Sequence, residues 1–169
     1  MQMLLPILVG GIAMPNKIFV MRHAEKMDDP NDPNLSEAGR ARAQALVKWF
    51  PEKFGRPDFI FATSISRHSE RPIQTVMPLA ENLGLPLNST FADQDYGALA
   101  KLLLTEPKFA GKSILVCWHH GNIPSLMNRL GASVGTYPDP WNSKVFDLLL
   151  EADYTEAGQP KVSQITESF

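Results

Sequence analysis

The sequence predicts an α/β domain whose mainly parallel central sheet is flanked by helices, and three observations carry that prediction. Apolar runs at 18–21, 58–63 and 113–118 are four to six residues long, the pattern of strands buried on both faces. Each run is followed by a segment with apolar residues at helical spacing, opened by Ser36, Pro72 or Pro124. Strand alternating with helix in this way builds a parallel sheet through right-handed crossovers. Finally, 169 residues with 44% hydrophobic content suffice for one substantial core and leave no room for a second. The expected organisation is a single domain over 15–169, preceded by an apolar N-terminal extension over 1–14.

Net charge and cysteine use narrow the function classes. A formal charge of -2 and a pI of about 6.1 call for neither nucleic acid nor an anionic membrane as partner. Any basic site must therefore be local. The one cysteine, Cys117, sits inside an apolar run, so no internal disulfide and no cysteine-based zinc set is expected, and a reducing cytoplasm is the expected location. The extension lacks a basic leader and is too short to span a bilayer.

In chain order, residues 18–21 form the first strand and run directly into Arg22 and His23. The following stretch, 27–34, is dense in Asp, Asn and Pro and reads as a solvated loop. Its three aspartates lack the glycine and terminal glutamate of a calcium loop, so no metal is expected. Ser36 is a natural N-cap, Glu37 suits the positive end of the dipole, and Ala43, Leu46, Val47 and Phe50 share one face of a helix that Pro51 is expected to close. After the strand at 58–63 comes the polar loop 64–71, with Arg67, His68 and Arg71. The helix opened by Pro72 should run to about Gly84 with a kink at Pro78. Residues 91–105 carry Leu99, Leu102 and Leu103 at helical spacing behind Asp93-Gln94-Asp95. The strand at 113–118 leads straight into His119 and His120, and Pro124 starts a helix ending near Gly131. Residues 144–150 and 161–165 read as two further strands joined near Gly158.

All four histidines thus fall just after predicted strands. In a parallel sheet those ends share one edge, where open α/β sheets bind ligands. Arginine forks and helix N-termini favour a phosphoryl group there. A neutral imidazole can attack phosphorus, a second histidine can stabilise the charge that builds on oxygen, and an acid such as Asp95 or Asp93 would protonate the leaving group. A helix-capping role competes for both aspartates.

At this point the motifs resemble a known family. Arg22-His23-Ala24-Glu25 is similar to the Arg-His-Gly motif of the histidine phosphatase superfamily, the phosphoglycerate mutase-like clan. Leu35-Ser36-Glu37-Ala38-Gly39-Arg40 resembles its Leu-Thr-x-x-Gly-x segment, Arg71-Pro72-Ile73-Gln74-Thr75 its Arg-Ala-x-Gln-Thr, and 115–121 its late strand ending in a catalytic histidine. The resemblance covers about 18–131 and implies a phosphoglycerate mutase-like fold. It also implies a phosphohistidine on His23, with Arg22 and Arg71 clamping phosphate and a late histidine completing the pocket. Ala24 stands where the motif has glycine, a change that fits if φ stays negative.

Three assignments stay open. Reading His-Gly as the unit selects His120, and counting back from Ile123-Pro124 selects His119; the first is preferred. Arg71 is preferred over Arg67 because Gln74-Thr75 follows it. Asp95 is preferred over Asp93 as the acid. The expected activity is hydrolysis of a phosphomonoester or phosphohistidine, on a phosphorylated small molecule or phosphoprotein, without metal or other cofactor. The alternative is a non-catalytic module that binds phospholigands. Mutase activity fits less well, because few residues separate Arg71 from the late histidines to form a cap that would shield a phosphoenzyme from water.

Overall fold

The computed structural model describes residues 6, 8, 9 and 12–169. Much of the expected 1–14 extension lies outside the described residues. Within it, β1 (Leu8–Val9) pairs antiparallel with β2 (Ile12–Ala13). Met14 packs against the core, and its carbonyl accepts from the Gly111 amide at 2.9 Å. The main elements follow as β3 (Lys17–Arg22), α1 (Glu37–Phe54), β4 (Phe59–Ala62), α2 (Arg71–Leu83), β5 (Leu87–Asn88) and α3 (Tyr96–Thr105). After them come β6 (Ser113–Trp118), α4 (Ile123–Arg129), β7 (Leu148–Asp153) and β8 (Lys161–Thr166). Among the described residues no helix is long and apolar enough to cross a membrane.

The six-stranded sheet has the order β5-β4-β6-β3-β7-β8. The first four run parallel, β7 is antiparallel to both β3 and β8, and β8 thus points the same way as the first four, so the sheet is mixed and mostly parallel. Side chains alternate across β3: Ile18 and Val20 join the core under α3 and α4, while Phe19 and Met21 join the one under α1 and α2. This two-sided burial is the reason the strand is apolar at every position. Because β3 and β6 are neighbours with Arg22 opposite Trp118, the chain leaves both strands at the same height on the same edge.

Two boundaries differ from the sequence expectation. Pro51 does not close α1, which continues to Phe54. The Phe54 ring packs 4.7 Å from Phe19 and 5.1 Å from Phe50, and the turn ends at Gly55, whose φ of 83° lets its amide reach Pro51 O. Proline removes a single N–H, and the buried aromatics outweigh that loss. The strand expected at 144–150 begins only at Leu148. Residues before it leave the sheet because the carbonyls of Ser143 and Val145 bind the Arg22 guanidinium. The last strand matches closely, ending at Thr166, and α2 runs through Pro78 to Leu83.

One carboxyl buried beneath this edge has no hydrogen-bond partner among the described residues. Glu167 is 3% exposed, neither carboxylate oxygen is hydrogen-bonded, and Arg42 Nη1 stands 3.9 Å away. Burial pushes its carboxyl up to about 8, with Arg42 opposing the shift. The folded protein therefore keeps a proton that the unfolded chain loses from about pH 4.5 upward, and stability falls as pH rises between those values. Glu167→Gln should raise the unfolding free energy by about 1–3 kcal/mol at about pH 7.5 and leave it unchanged at about pH 4. Denaturant melts of both proteins at the two pH values measure this.

Candidate functional site

His23 follows β3 and is held from three sides. Its amide donates to Trp118 O at 3.2 Å. The next amide, Ala24 N, donates to Thr75 Oγ1 at 2.9 Å, and that hydroxyl donates to Arg71 O at 2.8 Å. His23 Nδ1 lies 2.7 Å from Ala24 O. A carbonyl can only accept, so Nδ1 carries the proton and Nε2 keeps its lone pair. The ring is 2% exposed, and burial, opposed by the Ala24 bond and reinforced by Arg22, His119 and Arg71, lowers its pKa to about 2. It is neutral at physiological pH. No non-glycine among the described residues has a positive φ, which accounts for Ala24 at the glycine position.

Two arginines face the same cleft. Arg22 is buried, with Nη1 donating to Ser143 O at 2.7 Å and Val145 O at 3.1 Å, and Phe146 lies 3.8 Å from its guanidinium carbon. Arg71 Nη1 donates to Asp32 O at 2.9 Å. The Nε of each is buried without a partner, a state that costs free energy unless an acceptor arrives. Burial, and then the charge of Arg71, lowers the Arg22 pKa to about 10, which still leaves it cationic. Arg67 is exposed, donates to His68 Nε2 at 3.3 Å and does not line the cleft. The structure therefore brings Arg71 to the site and leaves Arg67 outside it.

The preference for His120 as the ring beside His23 gives way to His119. Its ring lies 5.4 Å from that of His23 at 70°, and its Nε2 is 3.3 Å from Thr63 Oγ1. Strand register explains the choice. Arg22 opposes Trp118, so the next residues, His23 and His119, leave adjacent strands side by side. The neighbouring side chain must point another way. His120 also lines the cleft and is less buried than His119. Burial is the main influence lowering the pKa of both, and Asp93 opposes the shift at each.

Asp93, not Asp95, lines the cleft. Asp93 Oδ1 is buried without a partner, and its carbonyl accepts from Trp118 Nε1 at 3.2 Å and Asn122 Nδ2 at 3.3 Å. Asp95 is exposed and lines no part of the cleft. Residues 93–95 form a 3₁₀ turn, in which side chains two positions apart diverge. Neither aspartate caps a helix with its side chain.

The remaining motif residues build the frame. Ser36 Oγ accepts from Gly39 N at 3.1 Å, capping α1, while Ser36 N donates to Glu25 O at 2.9 Å. Gly39 is glycine because a Cβ would collide with that same Glu25 carbonyl oxygen. The Glu25 carboxylate is gripped by Arg42 at 2.8 to 3.0 Å. Gln74 ties the 27–34 loop to α2, donating to Asn34 Oδ1 at 2.7 Å and accepting from Leu35 N at 2.9 Å. Sequence reasoning missed Thr63, Lys26, Ser69 and Phe146 around the cleft and gave Thr75 no role. Thr63, Ser69 and Thr75 are buried, and a threonine or serine beside a motif arginine or strand end was the available signal.

The cleft measures about 470 Å³ and opens to solvent. It is lined by the neutral His23 imidazole, the guanidiniums of Arg22 and Arg71, the His119 imidazole and the Asp93 carboxyl. Among the described residues no three His, Cys, Asp or Glu side chains converge as metal ligands.

Comparison with known proteins points the same way. The family described as the histidine phosphatase superfamily (branch 1) matches residues 18–108, more than half of the chain. No curated protein sequence matches significantly. Among solved structures, the protein histidine phosphatase SixA complexed with tungstate is 17% identical, with a TM-score of 0.64 over 89% of this chain and 97% of that one. A mycobacterial glucosyl-3-phosphoglycerate phosphatase with inorganic phosphate is 16% identical, with a TM-score of 0.53 over 90% and 96%. Phosphoglycerate mutase from Plasmodium falciparum is 13% identical, with a TM-score of 0.58 over 88% and 89%. At these identities the likeness is one of fold.

Proposed function

Because the chain belongs to the histidine phosphatase superfamily, we propose that it is a phosphatase that hydrolyses a phosphomonoester or a phosphohistidine through a phosphohistidine formed on His23. The observation that carries this reading is the His23 tautomer: Nδ1–H is committed to Ala24 O, and a neutral Nε2 is left between two arginines with unpartnered Nε groups. Nε2 attacks phosphorus, and the bond to the leaving oxygen or nitrogen breaks. Arg22 and Arg71 hold the equatorial oxygens as charge shifts onto them. His119, packed edge-on to His23, donates a further hydrogen bond. Asp93 gives its proton to the leaving group, then takes one from the water that opens the phosphohistidine and releases phosphate. The guanidiniums supply the charge compensation, so a metal chelator leaves turnover unchanged. The substrate is a phosphorylated small molecule or phosphoprotein reaching the open cleft, and the cytoplasm, where Cys117 stays reduced, is the place we assign to it.

The acid role separates substrates by leaving group. A nitrophenolate leaves without protonation, whereas an alkoxide needs it. Asp93→Asn should slow glycerol 2-phosphate hydrolysis by about a hundredfold or more and p-nitrophenyl phosphate hydrolysis far less. Equal loss on both, or release of no phosphate by the unaltered protein, contradicts the mechanism.

A further inference from the structure

The segment just before β7, which the sequence pattern assigns to a strand, has left the sheet and closed over Arg22. Two of its carbonyls, Ser143 O and Val145 O, take both protons of Arg22 Nη1. Val145 O also accepts from Trp141 Nε1 at 3.1 Å, and Trp141 is 5% exposed within the core. The wall is thus anchored in the interior of the protein. On this wall the Phe146 ring covers one face of the guanidinium at 3.8 Å and lies 6.1 Å from the His23 ring. Phe146 itself is only half-buried, so core packing is not its main contribution.

We propose that Phe146 is a positioning residue for phosphoryl binding, acting through Arg22; this rests on the phosphatase reading above. A guanidinium is planar, and two carbonyls on one nitrogen leave it free to tilt about that nitrogen. An aromatic face stacked on the plane removes the tilt and favours the cation electrostatically. Nη1 is then consumed by the wall, and Nε and Nη2 are presented edge-on, the geometry that bidentate phosphate binding requires. The ring also keeps water off one face of the cation without offering a competing acceptor. Leucine would fill similar space but supply no π-face.

The test compares the unaltered protein with Phe146→Leu and Phe146→Tyr. The measurements are kcat and KM for p-nitrophenyl phosphate, the inhibition constant of inorganic phosphate, and the melting temperature. Phe146→Leu should weaken phosphate binding by about tenfold and raise KM in parallel while melting within a few degrees of the unaltered protein. Phe146→Tyr, which keeps the ring and can point its hydroxyl to solvent, should restore most of both constants. A leucine variant with unchanged phosphate binding and KM overturns the inference, as does a tyrosine variant as impaired as the leucine one. If the unaltered protein turns over substrate, such a result leaves the phosphatase reading intact. An unaltered protein that neither hydrolyses the ester nor binds phosphate overturns both.

Discussion

Replacing His23 with alanine should lower turnover of p-nitrophenyl phosphate by about 10⁴-fold or more, the scale of losing a covalent nucleophile. The size follows from the site's geometry. His23 is the imidazole whose Nδ1 proton is fixed on a main-chain carbonyl and whose burial keeps it neutral. Arg22 and Arg71 are charged, the Nε2 of His119 faces Thr63, and His120 and His68 line the cleft without packing against the His23 ring. His119→Ala should cost less, about 10²- to 10³-fold, because it removes charge stabilisation and leaves the nucleophile in place. Steady-state kinetics with matched circular dichroism spectra decide both, and equal losses would contradict the division of roles. Because His23 stays neutral down to about pH 2, its own protonation should not shape the acid side of the rate profile.

Gly39→Ala should be the most damaging glycine-to-alanine change among the described residues. Its Cβ would collide with Glu25 O and lie 3.0 Å from Glu25 N, and both of these are main-chain atoms that cannot rotate away. Either α1 lifts from the β3 exit, losing the Ser36 bond to Glu25, or the main chain beside His23 shifts. We expect a loss of about 3 kcal/mol in unfolding free energy, the upper end for overpacking. A fall in kcat beyond any change in folded fraction should accompany it, because Glu25 is two residues from the nucleophile. Ala38→Gly, one position away on the exposed side of the same helix turn, should cost about 1 kcal/mol and leave kcat unchanged. Urea unfolding and single-turnover rates on the two variants separate a steric collision from ordinary helix propensity.

How far the sequence disclosed this site depends on which physical signal each residue carries. His23, Arg22 and Arg71 were legible because buried strands and proline-opened helices bracket them closely. The mostly parallel sheet was legible for the same reason. The antiparallel set of β7 against β3 was not, since an apolar run does not record strand direction. His119 was obscured by the doublet, although the register of two parallel strands contains the answer: equal distances past Arg22 and Trp118 give partners. Asp95 was preferred to Asp93 on its likeness to the place where relatives carry an acid, a likeness that does not record which of two diverging side chains of one turn faces the cleft. Phe146 was hidden most deeply. It lies in a β-like pattern, Lys144 to Leu150, that the Arg22 guanidinium pulls out of the sheet through contacts more than a hundred residues apart in sequence.

The central claim is that phosphoryl transfer passes through His23 Nε2, and trapping with an alkaline quench tests it most directly. The unaltered protein is mixed for milliseconds with radiolabelled phosphoryl donor, quenched in alkali, in which the phosphorus–nitrogen bond of phosphohistidine persists, then digested and mapped at alkaline pH. The account predicts label on the peptide carrying His23, attached at Nε2 by phosphorus NMR of the denatured protein, and none in His23→Ala. Label on His119 or His120, or steady turnover by His23→Ala at the unaltered rate, would contradict it.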